Sequence, residues 1–257
     1  MLLDWALLGG AAALAGALNA VAGGGSFLTL PALAMVGVPL VSANATGTAA
    51  LLPGYLAGAW ALRKELSGPM SPSLMRLGVL SVLGGAAGAA LLLSTSNHAF
   101  ARIVPWLLLA ATLLFAIGPG LVRRRLATAG NSNSNGKPRG RWVADLGIVA
   151  VAVYGGYFNG GLGILLLAVL GALGHTDMGR MNGIKNFVSA ILTLIAVGIY
   201  AASGAIVWTH ALWMALFATL GGYAGGMAAR RLKPDVVRGF VVLTGLAMTA
   251  AFLVKAY

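Results

Sequence analysis

The chain has 257 residues, of which 59% are hydrophobic and only 9% are charged. Soluble domains of this length carry much more charge, so the composition excludes an ordinary soluble globule and predicts an all-α, multi-pass membrane protein. The formal net charge of +12 lies mostly in short segments between apolar stretches rather than on one basic face, so we expect no nucleic-acid partner.

Ten apolar segments follow one another along the chain. The first is not preceded by Lys or Arg and the chain after it stays apolar, so we expect a mature helix and not a cleaved signal peptide. Most segments are long enough to cross a bilayer core, which takes about 20 helical residues. The second and the seventh are too short, and each follows a glycine-rich break, so each is predicted to complete a hairpin that either re-enters or spans the membrane. The predicted segments are 3–22, 25–38, 42–62, 72–93, 100–122, 142–160, 162–174, 181–201, 206–229 and 236–256.

The first break follows Asn19, where three consecutive glycines interrupt an apolar stretch. Glycine is costly inside a helix, so we expect one helix to stop here and another to begin. Backbone N–H groups at the start of a helix favour an anion, which makes this break a candidate anion site. The candidate substrate-binding residues at the first break are Asn19, Gly24, Gly25 and Ser26.

The second break, Asn159 to Gly163, has the same pattern of an asparagine followed by glycines. Its candidate substrate-binding residues are Asn159, Gly161 and Gly163. For both breaks an alternative stays open, namely that the glycines only allow helices to pack closely. Two further glycine pairs with small-xxx-small spacing are predicted to pack helices, and these are Gly84 with Gly88 and Gly221 with Gly225.

Positive charge is distributed very unevenly between the two predicted sides of the membrane. Of the 17 Lys and Arg residues, all but Arg102 and Lys255 fall on one side. The positive-inside rule makes that side cytoplasmic and places both termini in the periplasm of a bacterial inner membrane. The polar, basic stretch 123–141 is then a flexible cytoplasmic linker, with a patch for anionic lipids as the alternative interpretation.

The linker separates two stretches that share landmarks in the same order and at nearly the same separation. Each stretch holds five segments, an odd number, so the second enters the membrane from the opposite side and the pair forms an inverted repeat. The predicted units are a first repeat over 1–122 and a second, inverted repeat over 142–257. Chance similarity between glycine-rich helices is the alternative explanation. The matched landmarks are Asn19 with Asn159, Ala43-Asn44 with Met181-Asn182, Gly84-Gly85 and Gly88 with Gly221-Gly222 and Gly225, and Arg102 with Arg238.

Polar residues occupy the first turns of the third and eighth segments. They either line a substrate cavity or bond to neighbouring backbone. The candidates are Asn44, Thr46 and Thr48 in the third segment and Asn182, Lys185 and Asn186 in the eighth. Lys185 lies about one turn into an apolar helix, where an ionisable residue usually has a function, and we expect it to bind substrate. The alternative is that it snorkels to the interface. Its equivalent in the first repeat is the uncharged Gly47.

The residue types that carry catalysis are missing from the apolar segments. All five carboxylates lie at or near segment ends, and no pair of the three histidines has metal-ligand spacing. No nucleophilic, phosphate-binding or zinc motif stands out. We therefore expect neither an enzyme nor a metal or other cofactor.

Several of these motifs together resemble the sulfite exporter TauE/SafE family of membrane permeases. The resemblance covers the whole chain and is carried by Asn19-Ala-Val-Ala-Gly-Gly-Gly25, Pro31-Ala-Leu33, Ala43-Asn44-Ala-Thr46-Gly-Thr48, Gly155-Gly-Tyr-Phe-Asn159-Gly-Gly-Leu-Gly163 and Asn182-Gly-Ile-Lys185-Asn186. It implies transport of sulfur-containing anions such as sulfite or organosulfonates. The chain departs from the pattern at Gly171-Ala-Leu173, which has no proline where Pro31 suggests one, so the two hairpins need not bend alike.

The function expected from the sequence is a permease that moves small sulfur oxyanions or organosulfonates across the inner membrane by export. Two alternatives remain, a proton-coupled uptake carrier for an organic anion and a structural membrane subunit that transports nothing. The expected partners are a small anionic substrate and the lipid bilayer, and a homo-oligomer stays open.

Overall fold

The computed structural model describes residues 1–22, 24–67, 73–130, 141–173, 175, 177–228 and 234–256. Within these ranges the chain is all-helical, as the sequence predicts, with ten α-helices and one short 3₁₀ helix, Arg63–Leu66. The α-helices are α1 (Leu2–Ala22), α2 (Ser26–Met35), α3 (Leu40–Ala61), α4 (Leu74–Ser94), α5 (Asn97–Gly130), α6 (Arg141–Phe158), α7 (Leu162–Ala172), α8 (Met178–Ala202), α9 (Trp208–Ala228) and α10 (Pro234–Ala256).

Each predicted apolar segment corresponds to one helix. The helices after the two breaks are short, as predicted, with 10 residues in α2 and 11 in α7. Three helices of the described chain are long and apolar enough to cross a membrane by themselves, over Leu2–Ala20, Leu74–Ser94 and Gly179–Ala202. Helix α5 continues to Gly130, into the range predicted as a linker, and residues 131–140 of that linker lie outside the described residues.

Glycines allow α1 to pack directly on α9. A Cβ added at Gly221 would overlap the carbonyl oxygen of Ala13, and one added at Gly16 would overlap that of Ala218. A Cβ at Gly225 would lie only 2.5 Å from the Cα of Ala17. The two backbones are therefore in contact, as in other close helix pairs built on small residues.

Helices α4 and α6 pack in the same way. A Cβ at Gly84 would lie 2.5 Å from the Cβ of Ala152, and one at Gly88 would overlap the carbonyl oxygen of Val153. The same pair is joined by an ion pair between Arg76 of α4 and the partly buried Asp145 of α6. The prediction that the glycine pairs on α4 and α9 pack helices is confirmed.

Helices α3 and α8 lie against each other at the centre, and each also contacts one of the close pairs, α3 contacting α9 and α8 contacting α4. The short helices pack beside them, α2 on α3 and α7 on α8. We call the end of the bundle where α3 runs into Arg63–Leu66 the basic end. This 3₁₀ helix packs on the first turns of α8, since a Cβ at Gly183 would contact both Leu66 and Glu65.

Candidate functional site

The two breaks come together in the interior. Gly161, which precedes α7, has a φ of 72°, a left-handed conformation that favours glycine. A Cβ at Gly161 would lie 3.8 Å from the ring of Phe27 in the first turn of α2. The chain segments that follow the two breaks are therefore neighbours, although they are far apart in sequence.

The asparagines that open the two breaks meet at one tyrosine hydroxyl. The hydroxyl of Tyr55, in α3, donates a hydrogen bond of 3.2 Å to Oδ1 of Asn159, and Asn19 lies within reach of the same hydroxyl. Asn159 is 1% exposed and Tyr55 is 4% exposed, so this contact is closed to solvent. Within the described chain, Nδ2 of Asn159 and Oδ1 of Asn19 have no hydrogen-bond partner. Unpaired buried polar atoms are costly, so these two are available for a ligand.

The first break has backbone amides without a carbonyl partner among the described residues, but the space beside Gly25 is filled. Among the described residues, no carbonyl accepts a hydrogen bond from the amide of Gly24 or Gly25, as the anion site requires. However, a Cβ at Gly25 would lie 2.8 Å from the carbonyl oxygen of Ala15 and 3.1 Å from the side chain of Leu51. Close packing, the alternative left open by the sequence, is therefore by itself a sufficient reason for glycine at this position. Ser26 is buried, and its hydroxyl has no partner in the described chain.

A cavity of about 400 Å³ opens at the basic end, between α1, α3, α8 and α9. At about 30 Å³ per water molecule it has room for roughly a dozen waters, which is ample for a small hydrated anion. Two predicted site residues, Asn19 and Asn186, line it from opposite halves of the chain. Its wall also includes Gly16, Gly58 and Leu62.

The matching region at the other end of the bundle is closed. In the predicted repeat the positions equivalent to Gly16, Gly58 and Leu62 are Gly156, Ala196 and Tyr200, and all three of these are buried. The Tyr200 hydroxyl donates a hydrogen bond to the carbonyl oxygen of Gly156, which ties α8 to α6. A separate cavity of about 310 Å³ lies at this end against α10, and none of the predicted site residues lines it. Of the two cavities, the one that two predicted site residues line therefore opens at the basic end.

The predicted residues of α3 and the second break have mainly structural contacts. Nδ2 of Asn44 donates to the carbonyl oxygen of Tyr157 at 3.0 Å. Oγ1 of Thr46 accepts from the amide of Val207 at 3.0 Å, just before α9 begins. Asn44 and Thr46 thus bond to backbone, one of the two alternatives given by the sequence. The remaining predicted residues, Thr48 and Gly163, are buried in α3 and α7.

The predicted residues of α8 lie near the basic end. Asn186 donates to the carbonyl oxygen of Asn182 at 3.0 Å and packs against Gly58, where a Cβ would lie 2.9 Å from its Oδ1. Lys185 is 8% exposed, and no hydrogen bond or ion pair joins it to any described residue. The side chain of Lys185 thus has no counter-charge among the described residues, and both alternatives given by the sequence, substrate binding and snorkelling to the interface, stay open.

Several residues at this site were missed by the sequence interpretation. Tyr55 and Tyr200 lie in apolar stretches and match no repeated motif. Ser189 and Thr193 of α8 are buried and follow Lys185 at helical spacing. That spacing was visible in the sequence and is the signal that would have found them. Within the described chain, no group of three or more His, Cys, Asp or Glu residues is placed to hold a metal ion.

Comparisons with known proteins agree with a membrane transporter. The sequence pattern of the family described as Sulfite exporter TauE/SafE matches residues 8–252. A probable membrane transporter protein of Haemophilus influenzae is 28% identical, with 91% of this chain and 88% of that protein covered. The probable membrane transporter protein ORF9 of a Sinorhizobium species is 24% identical over 95% and 90%, and the probable membrane transporter protein YfcA of Escherichia coli K12 is 22% identical over 94% and 87%. No solved structure matches the chain.

Proposed function

The chain belongs to the TauE/SafE sulfite exporter family of membrane transporters, and on that premise we propose that it is a permease that exports small sulfur oxyanions or organosulfonates across a bacterial inner membrane. One observation carries the proposal. The asparagines of the two breaks meet at the Tyr55 hydroxyl, and one of them, Asn19, lines a cavity large enough for such an anion. A purely structural subunit has no need for unpaired polar atoms at such a place.

The architecture we propose is an inverted repeat of 1–122 and 142–257. Its support is that the helix contacts are reciprocal. Suppose that α1 to α5 are equivalent to α6 to α10, in that order. The contact between α1 and α9 then corresponds to the one between α6 and α4, and the contact between α3 and α9 corresponds to the one between α8 and α4. Likewise the contact of α5 with α7 corresponds to that of α10 with α2. The contacts of α3 with α8 and of α5 with α10 each join two helices that are equivalent to one another. A chance likeness between glycine-rich helices would not extend to the pairing of the helices.

In this proposal the basic end faces the cytoplasm, and both termini face the periplasm. The cavity is then a cytoplasmic vestibule that leads to Asn19, and the Tyr200–Gly156 contact closes the periplasmic side. Export suits the energetics, because one negative charge leaving a negative-inside cell gains about 2.3 kcal/mol per 100 mV. Neutral asparagine and tyrosine groups suit this role, since a deep charge trap would hold the anion too tightly for release.

The test is flux in proteoliposomes that contain the purified chain, with sulfite and ethanesulfonate as the anions and the membrane potential set by a potassium gradient. We expect saturable flux that follows the potential and does not change with a pH gradient at fixed potential. Flux that requires a pH gradient would replace export with proton-coupled uptake. The absence of flux and of anion binding would leave the structural subunit as the function.

A further inference from the structure

One face of α8 carries three buried polar residues that are spaced one helical turn apart. Lys185, Ser189 and Thr193 follow each other at intervals of four residues, and they are 8%, 1% and 0% exposed. Residues four apart lie above one another on a helix, so the three side chains form a single row, which we call the α8 row. The row runs from the basic end towards the middle of the helix.

The two hydroxyls of the α8 row do not form the hydrogen bond that is usual for serine and threonine in a helix. Serine and threonine inside a helix commonly donate to the carbonyl four residues earlier. Three other helical hydroxyls of this chain do so, Ser81 to Leu77 at 2.6 Å, Thr219 to Ala215 at 2.7 Å and Thr249 to Gly245 at 2.8 Å. In contrast, the hydroxyl oxygens of Ser189 and Thr193 have no hydrogen-bond partner in the described chain.

The one charged residue of the α8 row, Lys185, also has no counter-charge among the described residues. Lys185 forms no ion pair with any described residue, whereas Asp4 and Asp145 each take part in one. Thr29 and Thr112 are other buried hydroxyls without a partner, but each lies against a glycine of another helix, Gly47 and Gly245, and neither is in line with a cation. A cation followed by two free donors on one face is the complement of an anion with several oxygens.

We propose that the α8 row is the path of the anion through the protein, with Lys185 receiving it at the basic end and the hydroxyls of Ser189 and Thr193 replacing its water deeper inside. This inference rests on the proposed transport function and adds its binding residues. At a rise of 1.5 Å per residue the three positions are about 6 Å apart, so a small anion passes from one to the next in short steps. Hydroxyl donors favour oxyanions such as sulfite or a sulfonate over a halide, because each oxygen accepts its own hydrogen bond.

The test compares Ser189→Ala and Thr193→Val with the matched controls Ser81→Ala and Thr249→Val, whose hydroxyls are equally buried but bond to their own helix. Sulfite flux into proteoliposomes is measured against sulfite concentration, and thermal unfolding is measured without sulfite. We expect the two row variants to raise the half-saturating sulfite concentration severalfold, and the two controls to leave it unchanged. We expect Lys185→Gln to raise it about tenfold or more, because a charge-assisted hydrogen bond is lost.

The outcomes separate the two proposals. Wild-type flux with row variants that behave like their controls would overturn the α8 row and leave the transport function standing. Wild-type protein that neither transports nor binds sulfite or ethanesulfonate would overturn the transport function, and the row with it. If Thr193→Val unfolds at a lower temperature than the wild type, Thr193→Ser, which keeps the hydroxyl at that position, must show the wild-type sulfite affinity. Failure of that rescue would also contradict the inference.

Discussion

The closed end of the protein includes a hydrogen bond that one substitution removes. The buried Tyr200 hydroxyl donates to the Gly156 carbonyl, and Tyr200→Phe deletes this bond while keeping the ring that fills the space. A buried hydrogen bond has a net value of about 0.5–1.5 kcal/mol. If only the closed arrangement contains it, its loss shifts the population towards the arrangement open at this end by about twofold to tenfold.

The assay uses the absence of cysteine from the chain, which makes a single introduced cysteine the only thiol. Ala196→Cys places a thiol at a buried position near the closed end, and Ala57→Cys places one on the wall of the open cavity. A membrane-impermeant maleimide added from the predicted periplasmic side should label Ala196→Cys slowly, and Tyr200→Phe should accelerate labelling about twofold to tenfold. From the cytoplasmic side, Ala57→Cys should label readily and become slower with Tyr200→Phe.

Tyr223→Phe is the matched control, because its exposed ring lies at the mouth of the cavity and away from the Tyr200 contact. It should change neither labelling rate. The reasoning is refuted if Tyr200→Phe leaves the labelling of Ala196→Cys unchanged while the protein still unfolds at the wild-type temperature. The hydrogen bond would then be a fixed part of the fold and not a gate.

Three further predictions concern the site, the packing and the orientation. Tyr55→Phe removes the hydroxyl that donates to Asn159, so it should weaken sulfite affinity in the flux assay about twofold to tenfold, for one lost hydrogen bond. Unchanged affinity would exclude this junction from the binding site. Gly221→Ala should lower the unfolding temperature because its Cβ overlaps α1, whereas Gly10→Ala, with open space around it, should not. A periplasm-specific reporter should be active after Tyr257 and silent at Asn133, and the opposite pattern would reverse the proposed orientation.

The sequence predicted the helices well because the signals involved are local. Apolar length defines the spans, and the glycine runs define where α2 and α7 begin. The glycine pairs were predicted to pack helices, and Gly84 and Gly221 do so. The partners were not predictable, since nothing in the local pattern says that Gly221 meets α1 and Gly84 meets α6. Such long-range pairing depends on the whole bundle.

The site was predicted less completely than the helices. The asparagines at the breaks were found because they recur, but Tyr55, which joins them, has Thr193 at its equivalent position and so leaves no repeated signal. Thr46 was singled out for its polarity and its place in the Ala43–Thr48 motif, and the structure gives it a backbone partner near α9. Polarity within an apolar helix identifies a residue that needs a partner, but only the packing tells whether the partner is protein or substrate.

The glycine contacts also restrict which parts of this protein are able to move. Each close pair joins one helix from either side of the linker, α1 with α9 and α4 with α6, and the backbones touch without an intervening side chain. Sliding would bring the side chains of one helix against the backbone of the other, so we expect each pair to move as one body. A transport cycle that keeps these contacts would move each mixed pair as a unit and would not rock residues 1–122 against 142–257. For the same reason each half made alone would expose the glycine surface that its partner covers, and we expect the halves to insert and fold less well when they are produced separately.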